Sequence, residues 1–275
     1  MEAVIAYFST IPALHRGLIL AGGIAIFWIL ESAVPLVRFE YKKWHHAGIN
    51  IFFTVTTIIV NFAMAFMLLM VAEWATDNNF GLLPWMPHMN NWLFALIGLL
   101  LLDFFAAYLA HWSQHKTKWM WRFHLIHHTD TWIDTTSANR HHPGESAIRF
   151  IFTTVGVLLI GAPMWLVFLY QSLSVVFSQM NHANISLPSK LDRAISYVLV
   201  SPDMHKVHHH YLLPYTDSNY GNIFSLWDRL FGTFSTLERD KIVYGVDTHM
   251  EASQHNSLKN LLSIPFQQSQ KPSRN

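Results

Sequence analysis

The sequence predicts an all-α, multi-pass membrane helix bundle with a histidine-rich metal site. Three observations carry this. The 275 residues are 52% hydrophobic and only 13% charged, with a mean hydropathy of +0.23, whereas a soluble domain carries about a quarter charged residues. The apolar residues gather in long runs. Histidine is in excess, 18 residues against 18 Lys and Arg together, and cysteine is absent. That absence excludes disulfides, thiolate metal sites, Fe–S ligation and a cysteine nucleophile. A formal net charge of +1 gives no case for nucleic acid as a partner.

In chain order, residues 1–12 lack the basic start of a cleaved signal, so none is expected. Apolar runs follow at about 17–37, 50–71 and 92–110, each matching the roughly 20 residues a helix needs to cross the hydrocarbon core. The fourth, about 147–177, is split by Gly161-Ala162-Pro163, which predicts a helical hairpin. The expectation is thus about three full spans plus a hairpin. Arg38, Lys42 and Lys43 follow the first run, Lys116, Lys118 and Arg122 the third, while the connection after the second holds Glu73 and Asp77. The positive-inside bias puts 38–43 and everything after residue 110 in the cytoplasm, with 74–92 and the N-terminus outside. No repeat or linker divides the chain, so 1–275 reads as one domain, with a Gln-, Ser- and Pro-rich tail from about 263 expected to be frayed.

Three histidine blocks lie beyond the apolar runs. His111-x3-His115 has both imidazoles on one helical face, able to reach a single ion. His124-x2-His127-His128 and His205-x2-His208-His209 repeat an i, i+3, i+4 spacing. One HxxxH pair is weak, since a lone histidine is more often a satisfied core residue. Three blocks at one membrane boundary are not. Imidazole suits Fe, Zn, Cu and Ni, so spacing alone selects no metal. Eight imidazoles nevertheless exceed what one zinc uses and fit two ions with open positions. Iron is the natural choice for a thiolate-free site beside lipid, where a water-poor cavity suits oxygen activation.

These blocks resemble, in order over about 103–234, the fatty acid hydroxylase/sterol desaturase superfamily of membrane di-iron enzymes. Asp103-x4-Tyr108-x2-His111-x3-His115 is similar to its first motif, and Trp121-Arg-Phe-His124-x2-His127-His128 to its second. Asn139-Arg140-His141-His142-Pro143-x-Glu145, Asn181-His182-Ala-Asn184 and Ser201-Pro-Asp-Met-His205-x2-His208-His209 resemble the segments that follow. The ending Asn219-Tyr220-Gly221, then Trp227-Asp228 to Phe231-Gly232-Thr233, is similar too. The resemblance implies a membrane bundle capped by cytosolic helices, with His111, His115, His124, His127, His128, His182, His205, His208 and His209 as metal ligands and His142 as a further candidate. Some members carry another histidine four residues before the isolated one; here Ser178 stands there.

Asp103 and Glu145 are the carboxylates expected to support the site, Asp103 by hydrogen bonding to a ligand histidine as outer partners do. Asp130, Asp217 and Asp228 are further candidates. His15, His45, His46, His88, His249 and His255 read as interfacial or surface residues, His141 and His210 as surface or outer residues. His142-Pro143-Gly144-Glu145 has a superficial likeness to a haem-binding segment of cytochrome b5, but no such domain fits before residue 147.

The resemblance implies two Fe ions, O2 as co-substrate, and hydroxylation or desaturation of a C–H bond in a fatty acyl, alkylglycerol or sterol-like lipid, with hydroxylation favoured. Electrons would come from a separate cytochrome b5-, ferredoxin- or reductase-like donor, and a bacterial inner membrane is the expected location. Two alternatives stand beside it. A zinc-dependent lipid hydrolase would use Glu145 as base. A divalent-metal transporter would place its ligands within the spans.

Overall fold

The computed structural model describes residues 1–267, and among them there is helix and loop with isolated bridges but no strand. In chain order run α1 (Glu2–Ser9), α2 (Ala13–Ala33), α3 (Lys43–Asp77), α4 (Asn91–Lys116), α5 (Lys118–His128), α6 (Pro143–Ile160), α7 (Met164–His182) and α8 (Pro202–His208), with shorter turns between. Four helical segments are long and apolar enough to cross a membrane: Ala13–Ala33, Lys43–Trp85, Asn91–Lys116 and Pro143–Ile160. The first three hold the expected spans. The fourth is the first limb of the expected hairpin, long enough at 18 residues to cross by itself.

Each helix starts and stops for a local reason. Asn90 caps α4, its Oδ1 accepting from the N–H groups of Trp92 (3.1 Å) and Leu93 (3.0 Å). Within α4, Asp103–Leu109 is π-helical, a widened stretch that often accompanies functional sites. It delivers the chain to His111. α6 opens on Pro143, whose missing N–H costs nothing in the first turn, and closes on Gly161 at φ 67°, a left-handed residue that turns the chain into α7.

α3 is longer than the apolar run that announced it. At 35 residues it extends about 52 Å by helical rise, well past the hydrocarbon thickness. Its first turns bury His46 and Asn50 against the loop before α6, and Ile49 and Phe53 against Leu125 and Ile126 of α5 and Leu261 and Ile264 near the C-terminus. The limbs α6 and α7 pack chiefly on other helices, α6 on α3 and α4, α7 on α1 and α2. Leu102, Val157, Ile160 and Leu166 are fully buried between α4, α6 and α7. Gly156 permits the close approach, since a Cβ there would lie 2.9 Å from the Cβ of Phe105. By contrast Ile26, Ile29, Ile58, Ile59, Phe62 and Phe66 on α2 and α3 face outward. An apolar surface of that extent is suited to lipid.

Two expectations change. His46, His249 and His255 are buried, not surface residues. For His46 the reason is the early start of α3, which turns it inward. The tail expected to fray from about 263 is helical as far as it is described: Ile264 and Pro265 are buried, and Arg122 bonds to the Gln267 carbonyl. The remainder, 268–275, lies outside the described residues.

Candidate metal centre

The histidines come from the ends of four helices. His111 and His115 occupy the last turns of α4, and His124, His127 and His128 the end of α5. His182 is the last residue of α7. Ser201 caps α8 through its Oγ, with Pro202 next, and the helix carries His205 and His208 before His209. Lys206, fully buried, donates from Nζ to the Ala183 carbonyl at 2.7 Å and so ties α8 to the end of α7. Burial pushes its pKa down to about 8.

The nine predicted ligands converge into two groups. His111, His115, His124, His128 and His208 form one, and His127, His182, His205 and His209 the other; within each, the candidate ligand nitrogens lie within 4.8 Å of one another. Both i, i+3, i+4 blocks are divided between the groups. His124 and His128 go to the first and His127 to the second; His205 and His209 go to the second and His208 to the first. The helix explains this: i and i+4 lie about 40° apart around its axis, while i+3 falls on the other side of i.

The nitrogen spacing fits metal ions. The Nε2 atoms of His182, His205 and His209 form a closed triangle with edges of 3.1, 3.2 and 3.3 Å. Three such atoms cannot all be hydrogen-bonded to one another, because each either donates or accepts and two must share a role. A cation between them resolves the conflict. Nitrogens about 2.1 Å from one ion lie roughly 3.0–3.4 Å apart at octahedral to tetrahedral angles. The His111–His124 and His124–His128 pairs, at 3.0 and 3.2 Å, fit in the same way. Nε2 of His115 and of His208 are buried without a partner. Burial first, then repulsion among neighbouring imidazoles, lowers the pKa of His124, His127, His128, His205 and His209 well below the ordinary value. They are therefore held in the neutral form that can ligate a metal.

Five of the opposite nitrogens are anchored, whereas Nδ1 of His127, His128, His205 and His209 is buried without a hydrogen-bond partner. Nδ1 of His124 meets Glu145 Oε1 at 2.7 Å, and Nδ1 of His115 meets Asp217 Oδ1 at 3.2 Å. The Nδ1 atoms of His111, His208 and His182 reach the carbonyls of Tyr220 (2.9 Å), Ser218 (2.6 Å) and Ser178 (2.7 Å). Such bonds fix the tautomer and aim Nε2 inward. Asp217 is also bonded to Lys116. Burial alone would raise its pKa, but the bonds to His115 and Lys116 prevail and hold it below the usual carboxylate range.

Asp103 acts otherwise than expected, touching no ligand histidine. Its Oδ1 and Oδ2 accept the backbone N–H groups of Ile223 (3.2 Å) and Phe224 (3.1 Å). Asp228 does the same for Tyr220 and Gly221, both at 2.8 Å. Together they clamp the turn that presents the Tyr220 carbonyl to His111. Asp130 lies outside the histidine groups, 2.9 Å from His46 Nε2. The same buried network holds Asp134, Asn50 and Arg140, whose Nη1 donates to Asn50 at 3.1 Å. Burial opposes ionisation of Asp130, but attraction to His46 and Arg140 brings its pKa below the ordinary value. His142 lies in neither group: its Nδ1 accepts from the Gly144 N–H at 3.0 Å as the N-cap of α6. Sequence reasoning gave no role to the Tyr220 carbonyl or to Lys206, and it read His46 as an interfacial or surface residue although Asp130, its partner, was a candidate. The only available signal was a cation or histidine standing close to a motif.

A cavity of about 30 Å³ opens between the groups, walled by histidines of both.

Residues 95–233 match the family model described as Fatty acid hydroxylase. The chain is 25% identical over 144 residues to ornithine lipid hydroxylase OlsE of Rhizobium tropici, covering 52% of this chain and 42% of that protein. It is 29% identical over 168 residues to alkylglycerol monooxygenase of Caenorhabditis elegans, covering 61% and 31%. A cholesterol 25-hydroxylase-like protein of Danio rerio is 30% identical over 148 residues, covering 54% and 58%. The chain thus spans less than half the length of the first two relatives. No solved structure matches it.

Proposed function

This chain belongs to the fatty acid hydroxylase family, and from that premise we propose that it is a membrane oxygenase hydroxylating a C–H bond of a lipid at a pair of iron ions. The observation that carries the reading is the two sets of buried imidazoles, in one of which three Nε2 atoms close a triangle that hydrogen bonding among them cannot satisfy. His111, His115, His124, His128 and His208 hold one ion; His127, His182, His205 and His209 hold the other. When bound, the pair supplies reductive activation of O2 for attack on an otherwise inert C–H bond. The chain's own residues do the rest. Glu145, Asp217 and the carbonyls of Tyr220, Ser218 and Ser178 hold the tautomers, Asp103 and Asp228 clamp the turn behind His111, and the closed packing keeps water from the reacting carbon. The relatives' names, lipid hydroxylases acting on ornithine lipid and alkylglycerol, support a lipid substrate. Electrons come from a separate donor protein, of cytochrome b5, ferredoxin or reductase type. The basic residues flanking the spans support a cytoplasmic side for the histidines, and the family resemblance supports a bacterial inner membrane.

Metal analysis of detergent-purified protein tests the reading. We expect about two iron ions per chain, with a sharp fall in both His127→Ala and His128→Ala, and O2-dependent hydroxylation of added lipid. Zinc alone, surviving iron-supplemented expression, would transfer the site to the hydrolase reading. Against that reading stands Glu145, the carboxylate it needs as a base, which already accepts from His124 at 2.7 Å. The transporter reading is disfavoured because the histidines cluster at helix ends.

A further inference from the structure

The cavity between the histidine groups is not walled like a hydrocarbon pocket. Ligand pockets are lined mostly by apolar side chains with a few placed polar groups. Here, beyond the two histidine groups, the wall joins the polar His141, Arg149, Ser178 and Asn222 to Ala107, Gly221 and the ring of Tyr220. Asn222 is held in place by donating to the Ser174 Oγ at 2.8 Å. Arg149 is the unexpected member. It projects from α6, a helix apolar enough to span a bilayer, where an ionised side chain is costly and marks a function by default.

Among the described residues nothing balances that charge closely. Among the described residues Arg149 donates no hydrogen bond, and its one ion pair is with Glu145, at 4.0 Å. The same Glu145 oxygen is 2.7 Å from His124 and 3.8 Å from His141. A guanidinium has five N–H donors in a planar fork that matches carboxylate and phosphate oxygens. Arg149 therefore brings a largely uncommitted fork to the cavity that the histidines face. That fork suits the cavity to an anion.

We propose that Arg149 binds the anionic group of the lipid substrate, a carboxylate or a phosphate, and so presents a carbon close to the head group for oxidation. Arg149 and histidines of both groups line one cavity, so the atoms next to that anionic group lie beside the histidines. The substrate is then an anionic or zwitterionic lipid oxidised near its head rather than a sterol or a mid-chain methylene. This deepens the oxygenase reading and rests on it for the reaction, though not for the binding.

The test is saturable binding by native mass spectrometry of the purified full chain, using oleic acid, dioleoyl phosphatidic acid and dioleoylglycerol. We expect one of the two anionic probes to bind roughly tenfold tighter than the neutral one, as a charge-assisted bidentate contact allows. Which of them prevails identifies the carboxylate or the phosphate. The preference should disappear in R149Q and persist in part in R149K. Equal binding of all three probes, or an unchanged preference in R149Q, overturns the proposal. Should R149Q fail to fold, phenylglyoxal modification of Arg149 in the wild type decides. Protection by the anionic probe but not by dioleoylglycerol supports the proposal, and equal modification overturns it. Iron content measured on the same samples separates this from the oxygenase reading: an anion preference without iron sinks that reading alone.

Discussion

Glu145 touches His124 through a single bond, and that bond sets which imidazole nitrogen faces the first histidine group. Removing it by Glu145→Ala frees the ring and leaves a buried N–H unpaired. We expect metal affinity to fall about 10- to 100-fold, read as retention against a competing chelator. Glu145→Gln, whose amide oxygen can still accept the proton, should lose less. At this scale the sequence was most informative about residue type. The eight histidines at helical metal-ligand spacing are brought together, because that spacing leaves little choice of direction, and the isolated His182, expected there from the family resemblance alone, joins them. What it could not convey was partnership. The division of each block between two groups depends on how α5 and α8 face one another. The contacts of Asp103 depend on a turn 120 residues away in sequence, at Ile223. His46 stood outside every apolar run, and only its contact with Asp130 reveals it as an interior residue.

Helix identity follows from apolar runs, and helix ends depend on contacts that runs do not encode. The split at Gly161 was legible because glycine before Ala-Pro is strong punctuation. The early start of α3 was not, because its first turns are amphipathic and carry lysine, tryptophan and histidine. Gly161 offers a sharp check. At φ 67°, a Cβ there would collide with the Phe80 carbonyl, so Gly161→Ala should cost about 1–3 kcal/mol, measured as a lowered melting temperature in detergent. Gly22 in α2 is the contrast, with nothing within 4 Å of its added Cβ. Gly22→Ala should leave the melt unchanged or raise it slightly, because alanine favours helix.

For the molecule as a whole, orientation is the property the charges predict, and a chain without cysteine is already suited to testing it. Single cysteines placed at Lys42, Asn78 and Lys241 should divide under a membrane-impermeant maleimide applied to intact cells. Asn78→Cys should label, while Lys42→Cys and Lys241→Cys should label only after permeabilisation; the reverse pattern would invert the bundle. The division of the histidine blocks has its own consequence at this scale. α5 and the α8 segment each feed both groups, so an ion seated in one group fixes the helices that carry nitrogens for the other. Each ion prepays the ordering that its neighbour requires. Loading is then close to all-or-none: half-filled protein is scarce, and uptake rises in one steep step when metal is titrated in.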